Sequence, residues 1–408
     1  MDEFTAKLIE GMHADFAPGR GEPELGLDRG HQPGTRPIHS SGISAVGWFR
    51  GTHAAARYCT APQFGRSWTP VTVRFSNGNG APDPDGVRQV RGMAVKFHLG
   101  ETTCDGEGPH TTAHTTCGVL KSPAESDLVC MSVPMFMVKE AEGLLDFEKA
   151  YLPRAVRRPG LTKRLKAMAS LIPLPTTDPG TLKSGNNGLI AYAQRTPEAR
   201  AFIAANAMLG PPDSYGRTAY HAVHAFELEG ECPDGLHQHG EICPGRQRHM
   251  GRFSLEPGDG VRLEYQDGDR PADGQRPLAT LEDLEADYLK RELERRLDRF
   301  VSVFNLRMQL ADPWDDTSDP TTVWPMTRKR VLMGSLVLHH IPSDQDAGCE
   351  KLSFNPGQLA PGMGLSDDPV LRARVAVYEQ SQAHREAQTC PFAHRATGSA
   401  PLERSAPV

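Results

Sequence analysis

Short segments that alternate between apolar and polar residues recur along this chain, and they restrict it to a fold built on antiparallel strands. Glycine and proline residues separate these segments, as the turns between strands require. A period of two turns one face of each strand towards a dry core and the other towards a wetter surface. The sequence therefore predicts a largely antiparallel sheet, and its clearest strands are VTVRFS (71–76), GMAVKFHL (92–99), AYHAVHAFEL (219–228), FVSVFNLRMQL (300–310) and VLMGSLVLHHI (331–341).

Helical periodicity is concentrated near residues 141–210, where LLDFEKAYL, LTKRLKAMASLI and TPEARAFIAANAML are separated by loops that contain proline and glycine. A further helix is predicted over residues 281–299, because Thr280 and Asp283 form a capping box just before an apolar stripe. The stripe consists of Leu281, Leu284, Tyr288, Leu293 and Leu297.

The last predicted helix begins near Ser366, in the sequence SDDP. Ser366 offers a cap, Asp367 and Asp368 offer negative charge to the helix dipole, and Pro369 occupies a position where no amide donor is needed.

Within this helix, Arg374, Tyr378 and Arg385 fall on one side. Steps of four and eleven residues return to within about 40° of the starting direction, at about 100° per residue. A phenol between two guanidinium groups is biased towards phenolate. Taken alone, the same spacing is that of an ordinary half-exposed helix face, on which an aromatic ring merely contacts a cation.

The size and charge of the chain exclude several classes of partner. Its 408 residues are enough for one large domain or two, and its net charge of −6 provides no basic surface for nucleic acid or anionic membrane. The first residues, MDEFTAKLIEGMHADF, contain no apolar signal segment, and no run of about 18 apolar residues could span a membrane. We therefore expect a cytoplasmic protein without a nucleic-acid or membrane partner.

The eight cysteines are scattered without a CxxC pair, which in a cytosolic chain predicts free thiols. Two polar insertions, between Cys104 and Cys117 and between Cys232 and Cys243, contain histidines but no matched zinc-binding pattern. The interpretation favoured for both insertions is a solvated loop, and metal binding is the alternative.

Five segments occur in the order and chemistry of the haem catalase family, and on them the chain resembles that family. They are RPIHSSGISAVGWFRGT (36–52), PVTVRFSNGNGAPDPDGVRQVRGMAVKFHLG (70–100), DLVCMSVPMFMVKE (127–140), DPTTVWP (319–325) and LSFNPGQLAPGMGLSDDPVLRARVAVYEQSQAHR (352–385). The resemblance runs from about residue 30 to about residue 390, and its last block is the most specific.

The resemblance implies an α+β fold, a catalase-like antiparallel β-barrel with surrounding helices. An N-terminal arm would occupy residues 1–35, the haem-binding barrel residues 36–390 with a helical insertion near 141–210, and a flexible tail residues 391–408. Large catalases continue into a C-terminal helical domain that this chain is expected to lack. It is therefore most similar to the small catalase-related peroxidase branch, and we expect a homodimer instead of a tetramer, without carrying over any bound NADPH.

For the cofactor, the resemblance implies haem b with Tyr378 as the axial ligand of the iron. Arg374, one turn earlier, would favour the tyrosinate form by placing a positive charge beside its oxygen. Arg36, Arg74 and Arg385 would pair with the haem propionates, because buried carboxylates require fixed guanidinium partners.

On the opposite face of the haem, the resemblance identifies His39 as the distal histidine, which takes a proton from one peroxide oxygen and delivers it to the other. Ser76 would hydrogen-bond that imidazole and orient it, and Phe136 would line the distal pocket. Taken separately, each of these three residues is more typical of an ordinary structural role.

One position departs from the family pattern. Large catalases carry a distal asparagine in a Gly-Asn-Asn-Thr-Pro run, and Met131 in Cys130-Met131-Ser132-Val133-Pro134 stands at that asparagine position. A thioether replaces an amide that can hold a second peroxide molecule. Dismutation of hydrogen peroxide is expected to be weak, and an organic peroxide or an apolar co-substrate is expected to be accepted more readily.

The function implied is a haem peroxidase that reduces hydrogen peroxide or organic hydroperoxides through a ferryl state, with an unidentified reductant. One alternative is a catalase-like hydroperoxide isomerase or tailoring oxygenase. Such isomerases are expected to carry threonine before the distal histidine, and Ile38 weakens that alternative. A third hypothesis, a haem carrier or sensor without turnover, gives the distal histidine no role.

Overall fold

The computed structural model describes residues 36, 38–78, 84–86, 89–99, 124–151, 192–230, 247–258, 286–345 and 349–389. Within these ranges ten strands form one antiparallel sheet. They are β1 (Gly42–Gly51), β2 (Trp68–Asn77), β3 (Arg91–His98), β4 (Glu125–Met131), β5 (Tyr220–His221), β6 (Phe226–Gly230), β7 (Gln247–Pro257), β8 (Ser302–Leu310), β9 (Arg330–His340) and β10 (Met363–Leu365).

Eight of these strands close into a barrel. The neighbours run β1–β2–β3–β4–β5–β7–β8–β9, and β9 pairs with β1 to complete the circle. Strands β6 and β10 extend the sheet from β7. The antiparallel barrel expected from the sequence is therefore confirmed.

Four α-helices surround the barrel in the described part of the chain. They are α1 (Gly143–Tyr151), α2 (Ala199–Met208), α3 (Tyr288–Leu297) and α4 (Pro369–Thr389). Among the residues described, no helix is long and apolar enough to cross a bilayer.

The interior of the barrel is filled with side chains. Phe75 stacks on Tyr215 with ring centroids 5.4 Å apart and lies 6.1 Å from the ring of Phe304. The alternation along β2 is as predicted, because Val71, Val73 and Phe75 belong to this core while the residues between them do not. The filled interior leaves no room for a ligand inside the barrel, and Arg74 and Ser76 belong to the other face of β2.

Two elements differ from their predicted bounds. The segment 219–228 is not one strand, because residues 222–225 separate β5 from β6. The helix predicted over 281–299 begins only at Tyr288 and ends at Leu297, with a turn at 286–287, and 281–285 lie outside the described residues. A distant group marks its start, since the Asp85 carboxylate accepts the amide of Leu289 at 2.8 Å, and a local pattern cannot reveal such a contact.

The start of α4 follows the prediction. The Asp368 carboxylate accepts the amides of Val370 and Leu371 at 2.9 and 3.1 Å, and the Ser366 hydroxyl accepts the amide of Asp368. Asp368 is fully buried, so this cap is part of the protein interior.

The cysteine prediction needs one correction. Cys59 and Cys130 are free and buried, but Cys349 is disulfide-bonded, to a cysteine outside the described residues. The predicted arm, the tail, both polar insertions and the helix at 161–172 also lie outside them. No group of three or more potential metal ligands occurs in the ranges given above.

Candidate active site

A cavity lies between the outer face of the barrel and helix α4. It encloses about 910 Å³, including its open mouth. Strands β2 to β5 form one wall, α4 another, and the segment before β1 contributes to the rest. The lining includes all but one of the residues selected from the sequence, namely Arg36, His39, Arg74, Ser76, Met131, Arg374, Tyr378 and Arg385.

On the helix side, Tyr378 ends a chain of hydrogen bonds that starts at the buried cap of α4. The Asp368 carboxylate lies 2.6 Å from Nδ1 of His224, and Nε2 of His224 lies 2.7 Å from Nη1 of Arg374. Arg374 Nη2 then donates to the Tyr378 hydroxyl at 2.9 Å. This arrangement fixes a guanidinium group beside the phenol oxygen. The described contacts of Arg385 are with other groups. Among the described contacts, the Tyr378 hydroxyl therefore has a hydrogen bond from one of the two cations, Arg374, and none from Arg385.

His224 and Asp368 were not selected from the sequence. His224 follows β5 in a segment that resembles a plain strand, and Asp368 was interpreted only as a helix-capping residue. They are 144 positions apart, so no local spacing connects them. The only sign of His224 in the sequence was a histidine among apolar residues of a predicted strand, and such a histidine most often has a structural role.

Burial of His224 lowers its pKa from 6.5 to about 4, and Arg374 contributes to the shift, although Asp368 opposes it. The unfolded chain protonates His224 more readily than the folded chain does. The contribution of neutral His224 to the stability of the fold is therefore complete above pH 6.5 and is lost as the pH falls towards 4.

We therefore expect haem-free protein to lose about 3 kcal/mol of unfolding free energy through this group between pH 7 and pH 4, at about 1.36 kcal/mol per pKa unit. Urea titrations at several pH values measure the effect. His224→Asn should flatten this part of the profile, and an equally steep profile in that variant would assign the pH dependence to other groups.

On the barrel side, His39 directs its imidazole into the cavity. Its Nδ1 lies 3.0 Å from the hydroxyl of Ser76 on β2. Burial, with Arg74 and Arg374 nearby, lowers the pKa of His39 to about 4. The imidazole is therefore neutral at physiological pH and able to accept a proton. A side chain on Gly92 would collide with both residues, since its Cβ would lie 2.6 Å from Ser76 Oγ and 2.9 Å from His39 Nδ1.

The three arginines predicted to bind propionates converge on Glu350, which was also missed in the sequence. Arg74 bonds both carboxylate oxygens of Glu350 at 2.8 and 3.1 Å, and Arg36 bonds the same carboxylate. Arg385 donates to the Glu350 carbonyl at 3.3 Å. Three cations and one carboxylate leave a net charge of +2 at this side of the cavity, which suits a ligand with two carboxylates.

Met131 lies at the end of β4, opposite Gly92 on β3 and opposite His221 on β5. Its side chain contributes a thioether to the cavity, as the sequence predicted. His221 also lines the cavity. It is a polar residue, and it pairs with Met131 in the register of β4 and β5.

Phe136 is buried beside the residues on the helix side of the cavity. Its ring lies 5.2 Å from that of His224 and 5.1 Å from the guanidinium carbon of Arg374. It is not among the residues that line the cavity described above, and its role in the distal pocket stays a prediction. Residues 132–138 leave the barrel after β4 and pack with α2 in a separate apolar cluster. From this cluster the Phe136 ring contacts the guanidinium group of Arg374.

These features place a phenol bonded to a guanidinium group and an imidazole bonded to a hydroxyl group in one cavity. The catalase family model matches residues 28–112 and 190–391. The chain belongs to the catalase family.

Two curated relatives of the chain are catalase-related peroxidases. A catalase-related peroxidase of Mycolicibacterium paratuberculosis is 31% identical over 86% of this chain and 89% of the relative. A catalase-related peroxidase of Synechococcus elongatus is 27% identical over 86% of this chain and 84% of the relative. The protein is accordingly an oxidoreductase that acts on peroxide.

Among solved structures, a fungal catalase superposes with a TM-score of 0.61 at 18% sequence identity. The match covers 89% of this chain and 63% of the fungal one. The likeness supports the catalase-like fold, and the fungal chain extends well beyond the shared part.

Proposed function

We propose that this protein is a haem-b-dependent peroxidase that reduces hydrogen peroxide or organic hydroperoxides with electrons from a separate donor. The observation that carries the proposal is the pairing, across one cavity, of a phenol bonded to a guanidinium group and a neutral imidazole bonded to a hydroxyl. Peroxide reduction at haem needs an axial ligand for the iron, a role that tyrosine has in catalases, and a proton acceptor on the opposite side.

The residues of the cavity fit haem. Tyr378 offers an oxygen ligand, and Arg374 donates a hydrogen bond to that oxygen. The net +2 charge around Glu350 balances two propionates, and guanidinium groups suit carboxylates through paired hydrogen bonds. When bound, haem would supply an iron that takes up a peroxide oxygen and holds two oxidising equivalents, which we propose to be the ferryl state.

The chain itself moves the protons. Neutral His39 would accept a proton from one peroxide oxygen and return it to the departing oxygen, so that water or an alcohol would leave instead of its anion. Ser76 keeps the ring oriented by its bond to Nδ1. Among the described residues that line the cavity, none carries a side-chain amide that could position a second peroxide, and Met131 offers a thioether instead, which supports weak dismutation.

The Tyr378 assignment is tested by the spectrum of the ferric protein. Tyr378→Phe removes the ligand oxygen, so the ligand-to-iron charge-transfer band of wild-type protein should disappear and haem should be held less firmly. Tyr58→Phe is a matched control, because Tyr58 packs on His249 away from the cavity, and it should leave the spectrum unchanged. A wild-type spectrum of the histidine or thiolate type would contradict the assignment.

The proposal includes a homodimer in the cytoplasm. Light scattering of the haem-loaded protein measures its mass, and a value near twice 44.5 kDa is expected. A tetramer would remove this part of the proposal without affecting the haem assignment.

A further inference from the structure

The backbone at His39 has an unusual conformation. Its φ of 57° is in the left-handed region, and His39 is the non-glycine residue with positive φ in the described part of the chain. Non-glycine residues adopt this region sparingly, and they persist there only where their surroundings enforce it. Residues 38–41 form neither helix nor strand. One backbone hydrogen bond, from the Asn77 amide to the Ser41 carbonyl at 2.9 Å, joins the end of this segment to β2.

Arg74 supplies further hydrogen bonds, to the carbonyls of His39 and Ser40. From β2, its Nη1 donates to the His39 carbonyl at 2.9 Å and its Nη2 to the Ser40 carbonyl at 3.3 Å. The Arg74 side chain is only 3% exposed. Gly42 makes room for it, since a Cβ there would lie 2.6 Å from Arg74 Cζ and Nη2. The guanidinium group therefore lies flat against the start of β1.

Glu350 fixes Arg74 in turn. It accepts from Nε and Nη2 of Arg74 with its two carboxylate oxygens, a geometry that sets both the position and the plane of a guanidinium group. Although burial opposes it, the charges of Arg74 and Arg36 hold the pKa of Glu350 below its usual value, so it is a carboxylate. Glu350 does not line the cavity, whereas Arg74 does.

We propose that Glu350 and Arg74 form a clamp that holds His39 in its left-handed conformation and thereby keeps its imidazole on Ser76 and in the cavity. Arg74 then binds the backbone carbonyls of the protein in addition to any haem propionate. Glu350 is a positioning residue, since it acts on the distal histidine through Arg74 and contacts neither substrate nor cofactor.

The consequence for peroxide rests on the proposed function. Displacement of a catalytic group by about 1 Å can cost on the order of 10²-fold in rate. Loosening the clamp should therefore slow proton transfer by His39 about 10- to 100-fold without removing the Tyr378 ligand.

Three variants test the clamp. Glu350→Gln keeps the size of the side chain and removes its charge. Arg74→Lys keeps the charge and removes the paired geometry, and it provides a second route should Glu350→Gln fail to fold. Glu125→Gln is the matched control, because Glu125 also pairs with a buried cation, Lys96, but does not line the cavity.

The first measurement uses haem-free protein with ¹⁵N-labelled histidine, in which His39→Gln identifies the His39 signals. In wild-type protein and in the control variant Glu125→Gln, the ring-nitrogen shifts of His39 should report one tautomer, fixed by the hydrogen bond to Ser76. Glu350→Gln and Arg74→Lys should average these shifts towards those of a free imidazole. Unchanged His39 shifts in both folded variants would overturn the proposal.

The second measurement uses the haem-loaded variants and stopped-flow mixing with peroxide. The haem-loaded fraction of Glu350→Gln should keep the charge-transfer band but react about 10- to 100-fold more slowly than Glu125→Gln. If Glu350→Gln loses haem affinity while its loaded fraction reacts at the wild-type rate, Glu350 serves cofactor retention only and the clamp is refuted.

The two measurements separate the clamp from the proposed function. Should wild-type protein bind no haem, the peroxidase proposal fails, and the histidine signals of the haem-free protein still decide whether Glu350 and Arg74 position His39.

Discussion

His39→Ala should bind haem normally and react with peroxide 10²- to 10⁴-fold more slowly than wild-type protein, the range typical of lost general acid–base assistance. At about 1.36 kcal/mol per tenfold change, this corresponds to about 3–5 kcal/mol in the activation barrier. The structure supports so large an effect, because no other described histidine bonds Ser76 within the cavity and the imidazole is neutral, with a pKa of about 4.

Stopped-flow absorbance after mixing with one equivalent of peroxide measures this rate. His249→Ala is a suitable control, since His249 packs on Tyr58 away from the cavity, and it should react like wild-type protein. A rate for His39→Ala within about threefold of wild type, far below the range expected for a lost proton acceptor, would mean that His39 has only a structural role.

The second large effect concerns Met131. Met131→Asn should raise oxygen release relative to donor oxidation by up to about 10²- to 10³-fold, the rate effect of one hydrogen bond that acts on a transition state. Oxygen release requires a second hydrogen peroxide to bind beside the oxidised haem and give up two hydrogens. An amide can orient that molecule, whereas a thioether is only a weak acceptor.

The measurement is the ratio of oxygen released to donor oxidised under the same peroxide supply. Met131→Leu is the matched control, because it keeps an apolar side chain of similar volume and should leave the ratio low. An unchanged ratio in Met131→Asn, or wild-type oxygen release at the rate of a large catalase, would show that another group supplies the polar contact. His221, opposite Met131 in the barrel wall, would then be the first residue to replace.

The sequence predicted those parts of the fold that depend on local periodicity. The alternation in β2, β3, β8 and β9 appears in the structure with bounds close to those expected, because each strand buries one face against the core. The cap of α4 was equally visible, since Asp368 and Pro369 act on their own helix.

Contacts between distant segments were not predictable in this way. Asp85 marks the start of α3 from 204 positions away, and Glu350 bonds Arg74 across 276 positions. His224 joins Asp368 to Arg374 from an irregular segment that resembles a strand. Each of these residues has an ordinary local environment in sequence, and only the folded chain brings its partners together.

The resemblance supplied the choice of site residues, and the structure refines their relations. His39, Ser76, Met131 and Tyr378 share one cavity as expected. Phe136 contacts the guanidinium group of Arg374. A resemblance transfers residue identities well, but it does not show which atoms are in contact.

The central claim, that this catalase-family protein holds haem through Tyr378 and uses it as a peroxidase, is tested most directly by the absorption spectrum of the haem-loaded protein during one reaction cycle. One equivalent of peroxide should convert the tyrosinate-type ferric spectrum to an oxidised form. A small electron donor should then restore the ferric spectrum, with little oxygen released. A spectrum without tyrosinate character, or one that peroxide leaves unchanged, would contradict the account.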